Sequence, residues 1–193
     1  MNVSKLAVSL ALLSSCYAHS AEHTITFGGW SKHSTQSYEL KAIKYHFGST
    51  ADFNETHKGI GYKFSTESRH RNISFIAEAF FMKDSFNQPM QTYGIGAEYT
   101  YPLYTIGIRD IRFSIPISYV RRSKLNRSLI SDDCNSGQVE CYTYALVDQN
   151  FIAPIPYVGL TTSAGLGLDF SLLPMPTFEG YGYVAFSRLH FRF

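Results

Sequence analysis

Apolar side chains alternate with polar or glycine residues along much of the chain. Near the C-terminus the two kinds fall on opposite faces of one extended segment, with Phe193, Phe191, Leu189 and Tyr183 opposed to Arg192, His190 and Arg188. The same period of two runs through 91–101 and 111–119. A period of two is typical of β-strands that present one apolar face. The sequence therefore predicts strands.

The segments with strand character number about eight, at 24–33, 58–66, 72–83, 91–102, 108–121, 140–152, 156–171 and 179–193. Several of these segments have one apolar face and a polar or glycine face opposite it, which suits a barrel that is surrounded by lipid. In lipid, closing the sheet leaves no backbone group unpaired. We therefore predict an all-β, eight-stranded antiparallel transmembrane β-barrel of the outer-membrane type. It forms one domain over 22–193, as a monomer in the bacterial outer membrane.

The N-terminus has the pattern of an export signal. A basic residue, Lys5, precedes an apolar run from Leu6 to Leu13 and small residues after it, so 1–21 is predicted to be a signal peptide cleaved after Ala18 or Ala21. An alternative is a lipobox ending at Cys16, which would give a lipidated N-terminus. No stretch of about 18 apolar residues exists, which excludes a helical membrane protein.

The composition is compatible with this fold but does not single it out. A net charge of +2 gives no argument for nucleic acid binding. Aromatic residues make up 16% of the chain, which suits the aromatic girdles of a membrane barrel. An aromatic-rich soluble sandwich would have the same composition.

Cys134 and Cys141 lie in a polar, turn-rich segment. In an exported chain they are predicted to form a small loop-closing disulfide. A metal site is less favoured, since neither cysteine has a partner at ligand spacing.

Two features bear on what the barrel contains. The segment 72–83 is apolar on both faces except at Glu78, which indicates a lumen with room for a hydrocarbon. Pro154 and Pro156 interrupt the hydrogen bonding near strands six and seven, because proline cannot donate to a sheet ladder. The interruption is either a lateral opening to lipid or a periplasmic turn.

Topology places the polar residues of interest. Bacterial barrels begin and end in the periplasm, so the connections 34–57, 84–90 and 122–139 are predicted to face outward. The cysteine pair would then lie at the outer surface. The polar residues near the first two outer connections would meet at one rim.

The outer end of the third strand carries Lys83, Asp84 and Ser85, and Tyr93 and Gly94 follow in the next strand. With Phe53-Asn54-Glu55, the run 152–156 and the final Arg192-Phe193, this pattern resembles the lipid A palmitoyltransferase family of the outer membrane (the PagP family). The resemblance implies transfer of palmitate from a phospholipid donor to a lipid A or lipopolysaccharide acceptor, with no metal or diffusible cofactor.

The resemblance also implies that a His, an Asp and a Ser near the outer loops are catalytic. Asp84 and Ser85 carry over directly. A hydroxyl needs a base or an orienting partner for acyl transfer, and a histidine can move the proton. Adjacent residues on a strand point to opposite faces, so the two need not form a relay. Capping of the strand end is the structural alternative for both.

Two histidines are candidates. His33 ends the first strand, and its parity with Ile25 and Phe27 turns it toward lipid unless Gly28-Gly29 forms a bulge that resets the register. His46 is the match instead if 39–47 is the first strand. We favour His33, because 24–33 is a convincing strand.

Gly94 matches the position that sets acyl-chain length in the family, and the alternation turns it inward. A bend in the barrel is the other interpretation of this glycine. The chain departs from the family in its first outer connection, in lacking an evident N-terminal amphipathic helix, and in showing no proline in the predicted seventh strand.

Two other functions suit the same pattern. One is a non-enzymatic outer-membrane barrel that binds lipid or shields the cell surface, which keeps the fold without the chemistry. The other is a soluble secreted barrel for a small apolar ligand, which would dissolve without detergent.

Overall fold

The computed structural model describes residues 21–33, 44, 48, 53–66, 72–105, 107–129, 142–177 and 180–193. Over these residues the strands are β1 (Ala21–His33), β2 (Thr56–Thr66), β3 (Ile73–Lys83), β4 (Pro89–Thr105), β5 (Ile108–Leu129), β6 (Tyr142–Pro154), β7 (Tyr157–Thr162), β8 (Leu166–Thr177) and β9 (Gly180–Arg192). None of the described residues belongs to a helix long and apolar enough to cross a membrane.

The strands close into a barrel. All ladders are antiparallel, and β9 pairs with β1, which joins the two ends of the sheet. β6 and β7 both pair with β5, β6 along Ile117–Leu129 and β7 along Ile108–Ser114. They are consecutive pieces of one broken strand, so the nine segments occupy eight strand positions. The predicted eight-stranded antiparallel barrel is confirmed.

The predicted seventh strand, 156–171, is wrong. A turn at 163–165 divides it: Gly165 has φ +85° and donates its N–H to the Thr162 carbonyl at 3.0 Å. The residues before the turn belong to β7 and those after it begin β8. Leu160 before the turn and Leu166 after it both face outward, and they are an even number of residues apart. The alternation of apolar and polar residues therefore continues unbroken across the turn. A period of two therefore could not reveal the reversal.

The first strand agrees with its prediction, and the end of the fifth does not. β1 lies between β2 and β9, which confirms 24–33 as the first strand over 39–47. β5 continues past 121 and pairs with β6 up to Leu129, opposite Tyr142. The predicted outer connection 122–139 therefore begins inside β5.

The barrel has an apolar outside and a polar inside. Phe75 and Ile152 are each 73% exposed, and Ile95 is 71% exposed. Every strand contributes to this apolar belt, among them Ile25, Ile60, Phe75, Ile95, Ile115, Ile152, Val158, Leu168 and Phe191. Such a belt has a favourable environment in hydrocarbon and a costly one in water. The chain is therefore a transmembrane barrel of the bacterial outer-membrane type, and the soluble alternative is set aside.

Charged side chains fill the half of the barrel at the end that holds Ala21 and Phe193, called here the periplasmic end. Lys63 Nζ lies 2.5 Å from Glu98 Oε2, and Arg188 Nη2 lies 2.8 Å from Glu78 Oε2. Arg112, Asp169 and His190 join the same buried network. Burial of these charges is tolerated because they are paired. They form a plug rather than a pore.

A bulge in β1 decides which side chains reach the interior at the opposite, outer end. Gly28 and Gly29 have φ +78° and +129°, and the register with both neighbouring strands shifts at this point. Thr24 and Thr26 face inward before the bulge, and Ser31 does so after it. His33 shares the inward parity of Ser31. The bulge named as a condition in the sequence is thus present.

The outer half of the sheet is not closed everywhere. β8 pairs with β7 only between Gly167 and Phe170, and no ladder pair joins the described residues of β6 to β8. Pro154 and Pro156 flank this gap on one side, and β8 carries Pro174 and Pro176. The turn at 163–165 is the periplasmic one, so the proline pair is not a periplasmic turn. The supposed lack of a proline in the seventh strand followed from its misplaced boundaries.

Candidate functional site

The outer end of the barrel brings together residues from the ends of several strands. His33 ends β1, Ser85 follows β3, and His57 lies at the start of β2. Ser31 and His33 occupy successive inward positions near the end of β1, and Ser85 lies just beyond the end of β3 at the same rim. The convergence predicted from topology is present in the structure.

His33 contacts Ser85. The Nε2 atom of His33 lies 3.0 Å from the Ser85 hydroxyl oxygen. The Phe53 ring stacks on the imidazole with a centroid distance of 4.5 Å and an interplanar angle of 17°. The Nδ1 atom of His33 is buried and has no hydrogen-bond partner among the described residues. Stacking and one hydroxyl therefore hold this imidazole, and no third group in the described part of the chain orients it.

Asp84 organises the turn that carries Ser85. Its Oδ1 accepts the N–H groups of Phe86 and Gln88, each at 2.9 Å, and its Oδ2 accepts the Ser123 N–H at 2.9 Å. A carboxylate with three backbone donors is engaged in structure, in the manner of an Asx turn. Asp84 therefore ties the 84–88 turn to β5 and positions Ser85, which is the capping alternative raised from the sequence.

A second serine and histidine meet at the same rim, and the sequence reasoning missed both. His57 Nε2 lies 2.7 Å from Ser31 Oγ, and His57 Nδ1 lies 2.7 Å from the Lys83 carbonyl oxygen. The imidazole is fully buried. The signal was present: His57 has the parity of the inward residues Gly59, Gly61 and Lys63. It was lost because the predicted strand began at 58, one residue too late.

A cavity of about 90 Å³ lies beneath this rim. Its mouth is polar, with Ser31, His57, Asp84, Ser85 and Arg122. Its walls are mainly apolar, with Phe80, Met82, Met90, Ile155, Phe170, Leu173, Val184 and Phe186, and Thr92, Tyr157, Asp169 and Ser171 also line it. Glu78 and Arg188 form the floor and belong to the charged plug. The apolar lumen suggested by 72–83 corresponds to the Phe80 and Met82 part of this wall.

Gly94 faces the interior but does not line this cavity. A Cβ built at Gly94 would lie 2.6 Å from Ser118 Oγ, 3.1 Å from Pro116 Cβ and 3.4 Å from Glu78 Cγ. These side chains already fill the space in front of the glycine. Gly94 thus permits close packing below the cavity floor rather than lengthening the cavity.

Other predicted residues lie outside the described part of the chain. These are His46, Cys134, Cys141 and Cys16, together with the signal segment up to residue 20. Among the described residues, no group of three or more His, Cys, Asp or Glu side chains is arranged to hold a metal ion.

Comparisons with known proteins give general likeness only. No protein-family model and no curated protein matches the chain. The N-terminal β-barrel domain of Pseudomonas aeruginosa OprF is 11% identical, with a TM-score of 0.48 over 90% of this chain and 98% of that one. The attachment invasion locus protein Ail of Yersinia pestis, with sucrose octasulfate, is 9% identical, with a TM-score of 0.43 over 90% and 97%. At these values no ligand or activity is transferred to this chain.

Proposed function

We propose that the chain is an outer-membrane acyltransferase that moves an acyl chain from a phospholipid to lipid A. The observation that carries the proposal is the serine–histidine rim directly above an apolar cavity in the outer half of a membrane barrel. A hydroxyl 3.0 Å from an imidazole is one arrangement by which a protein can activate an oxygen for acyl transfer. The apolar wall below it suits the hydrocarbon of a lipid donor.

Access from the membrane supports the same function. A phospholipid lies in the bilayer, so its acyl chain must enter the barrel sideways rather than through an end. The gap between β6 and β8 lies in the outer half, and Ile155, Leu173 and Phe170 line both the gap region and the cavity. Each backbone group that is left unpaired in lipid costs several kcal/mol. A gap retained at that cost is consistent with a route for lipid.

The charged plug fits the same scheme. It closes the periplasmic half, so a chain that enters from the side meets Glu78 and Arg188 as its floor. The barrel therefore offers a dead-end apolar site that opens at its polar rim, and does not offer a channel.

The test is an assay of the purified full chain in detergent with labelled phosphatidylcholine and lipid A. We expect a lipid A product heavier by one acyl group, detected by mass spectrometry. Ser85→Ala and His33→Asn should slow its formation. Ser65→Ala is the matched control, since Ser65 is a buried serine near the periplasmic end, away from the cavity. Absence of the heavier product with the unaltered chain would sink the proposal.

A second candidate is a barrel that binds lipid without turning it over. The observation that favours it is the state of the predicted catalytic set: Asp84 is committed to three backbone amides, and His33 Nδ1 has no described partner. In that case the unaltered chain and the Ser85→Ala variant would bind a phospholipid equally well and neither would yield the heavier product.

A further inference from the structure

Two serine–histidine contacts share the outer rim, and they are not equivalent. Ser31 and His33 lie two residues apart on β1, each touching a partner: Ser31 touches His57, and His33 touches Ser85. In the first contact a third group holds the imidazole from behind, since the Lys83 carbonyl lies 2.7 Å from His57 Nδ1. Among the residues that the structure describes, none does so for His33. We propose that Ser31 is a nucleophile and His57 its general base. This inference rests on the proposed acyltransfer and assigns its covalent step.

The proton on the His57 ring is fixed by its neighbours. A backbone carbonyl can only accept a hydrogen bond, so Nδ1 carries the proton and donates to Lys83. In the neutral ring Nε2 is then the acceptor, and the Ser31 hydroxyl donates to it. This is the direction in which a general base must receive a serine proton.

Both members of the pair lie against the cavity where an ester would bind. Ser31 and His57 line its mouth, and Phe186 and Phe80 form the wall below them. Arg122 lines the same mouth. A guanidinium charge beside the reacting carbonyl stabilises the oxyanion that forms when the hydroxyl attacks.

The step balances without a co-reactant. Ser31 Oγ attacks the ester carbonyl carbon of the phospholipid while its proton passes to His57 Nε2. The carbon–oxygen bond to the glycerol then breaks, and the departing oxygen takes that proton to leave as the alcohol of a lysophospholipid. The acyl group remains as an ester on Ser31. An acceptor hydroxyl reverses these steps: its proton passes to His57, the acyl group moves to the acceptor oxygen, and Ser31 regains its proton.

The test uses the full chain in detergent, with phosphatidylcholine and no acceptor, followed by peptide mapping. A fluorophosphonate, which labels activated serines, is a second probe. We expect both an acyl group and the fluorophosphonate on the peptide that contains Ser31. Ser31→Ala should lose both labels, and His57→Gln should slow labelling by about 10²–10⁴-fold, the usual contribution of a general base. Ser65→Ala should label normally, and heat-dependent gel migration verifies that each variant is folded.

The conservative variant separates chemistry from structure. Ser31→Cys should accumulate a thioester with the donor, whereas a merely structural role for Ser31 predicts no covalent adduct on that residue in any variant. An adduct on Ser85, or a Ser31→Ala variant that transfers acyl groups at the rate of the unaltered chain, would overturn the inference.

The outcomes also separate this inference from the proposed function. A chain that acylates lipid A with Ser31 removed keeps the function and loses the inference. A chain that labels on Ser31 but never acylates lipid A keeps the nucleophile and loses the proposed acceptor. A folded chain that neither labels nor transfers loses both.

Discussion

Lys63 and Glu98 form a fully buried ion pair across the barrel lumen, with 2.5 Å between Nζ and Oε2 and side-chain exposures of 0% and 1%. Glu98 also lies 3.4 Å from Arg112 Nη1 and accepts the Ser114 hydroxyl at 2.7 Å. One carboxylate on β4 is therefore the nearest counter-charge of two cations, Lys63 on β2 and Arg112 on β5. Removing it leaves both without their nearest counter-charge in a low-dielectric interior.

Glu98→Ala is therefore expected to lower the free energy of unfolding by about 3–5 kcal/mol, the usual cost of breaking a buried pair from one side. Lys32→Met is the control, because Lys32 is 70% exposed in its pair with Glu55 and should change stability by less than about 1 kcal/mol. Urea unfolding in micelles, followed by the fluorescence of the single tryptophan, measures both. Equal losses in the two variants would show that the lumen pair is not what stabilises the barrel.

Gly29→Ala tests the bulge. The φ of +129° is a region that residues with a Cβ occupy at a cost of about 1–3 kcal/mol. An added Cβ would also lie 3.2 Å from His57 Cβ. We therefore expect lower stability together with a shifted imidazole resonance of His57 in NMR spectra.

Gly107→Ala is the matched control for the bulge. Gly107 also has a positive φ, +86°, but a Cβ there would meet no atom within 4 Å. It should lose stability through backbone strain alone and leave the His57 resonance in place. A resonance shift of the same size in both variants would contradict a specific contact between the bulge and His57.

Asp84→Asn tests whether this carboxylate is structural. An amide offers one acceptor oxygen in place of two, so the three backbone donors cannot all be satisfied. We expect hydrogen exchange at the Phe86, Gln88 or Ser123 amides to accelerate at least tenfold, the equivalent of about 1.4 kcal/mol of local stability. Asp148→Asn is the control, since Asp148 is exposed and pairs with Arg121 at the surface. Unchanged exchange at all three amides would remove the capping role.

Val184→Trp tests the cavity. Val184 lines the wall of a space of about 90 Å³, and an indole there would fill it. We expect binding of cis-parinaric acid, a fluorescent fatty acid, to weaken at least tenfold, or about 1.4 kcal/mol. Phe191→Trp, on the lipid-facing surface, is the control. Equal affinity in the two variants would mean that the probe binds outside the barrel.

The faces of the strands could be predicted from the sequence because lipid imposes them. Phe191 and Phe193 face outward and His190 and Arg192 inward, as the alternation required. That His33 faces inward could be predicted only if Gly28-Gly29 formed a bulge. Two glycines suggest a bulge, but the register shift depends on how β1 pairs with its neighbouring strands, which the sequence does not reveal.

The candidate site was harder to predict, because its contacts are not periodic. Asp84 accepts hydrogen bonds from three backbone amides. Two of them belong to its own turn, and the third, that of Ser123 on β5, is distant from Asp84 in the sequence. His57 was missed because the predicted strand began at 58, so His57 was assigned to the preceding connection and its inward parity was not considered. The turn at 163–165 was invisible, since it preserves the phase of the alternation.

The ion pairs of the lumen also bear on how the barrel assembles. Arg188 on β9 reaches Glu78 on β3, and His190 on β9 reaches Asp169 on β8. In a sheet that has not yet curled, β3 and β9 are far apart, so Glu78 would lack Arg188, its ion-pair partner in the closed barrel. Arg188 would keep Asp169 on the neighbouring β8, which lies 3.1 Å from its Nε. The pair of Arg188 with Glu78 requires the long-range closure of β9 onto β1, whereas the contacts of Asp169 with Arg188 and His190 require only that β8 and β9 pair. Closure of the barrel and formation of the Glu78–Arg188 pair are therefore coupled, and a sheet that enters the membrane before closing would bury Glu78 without that pair.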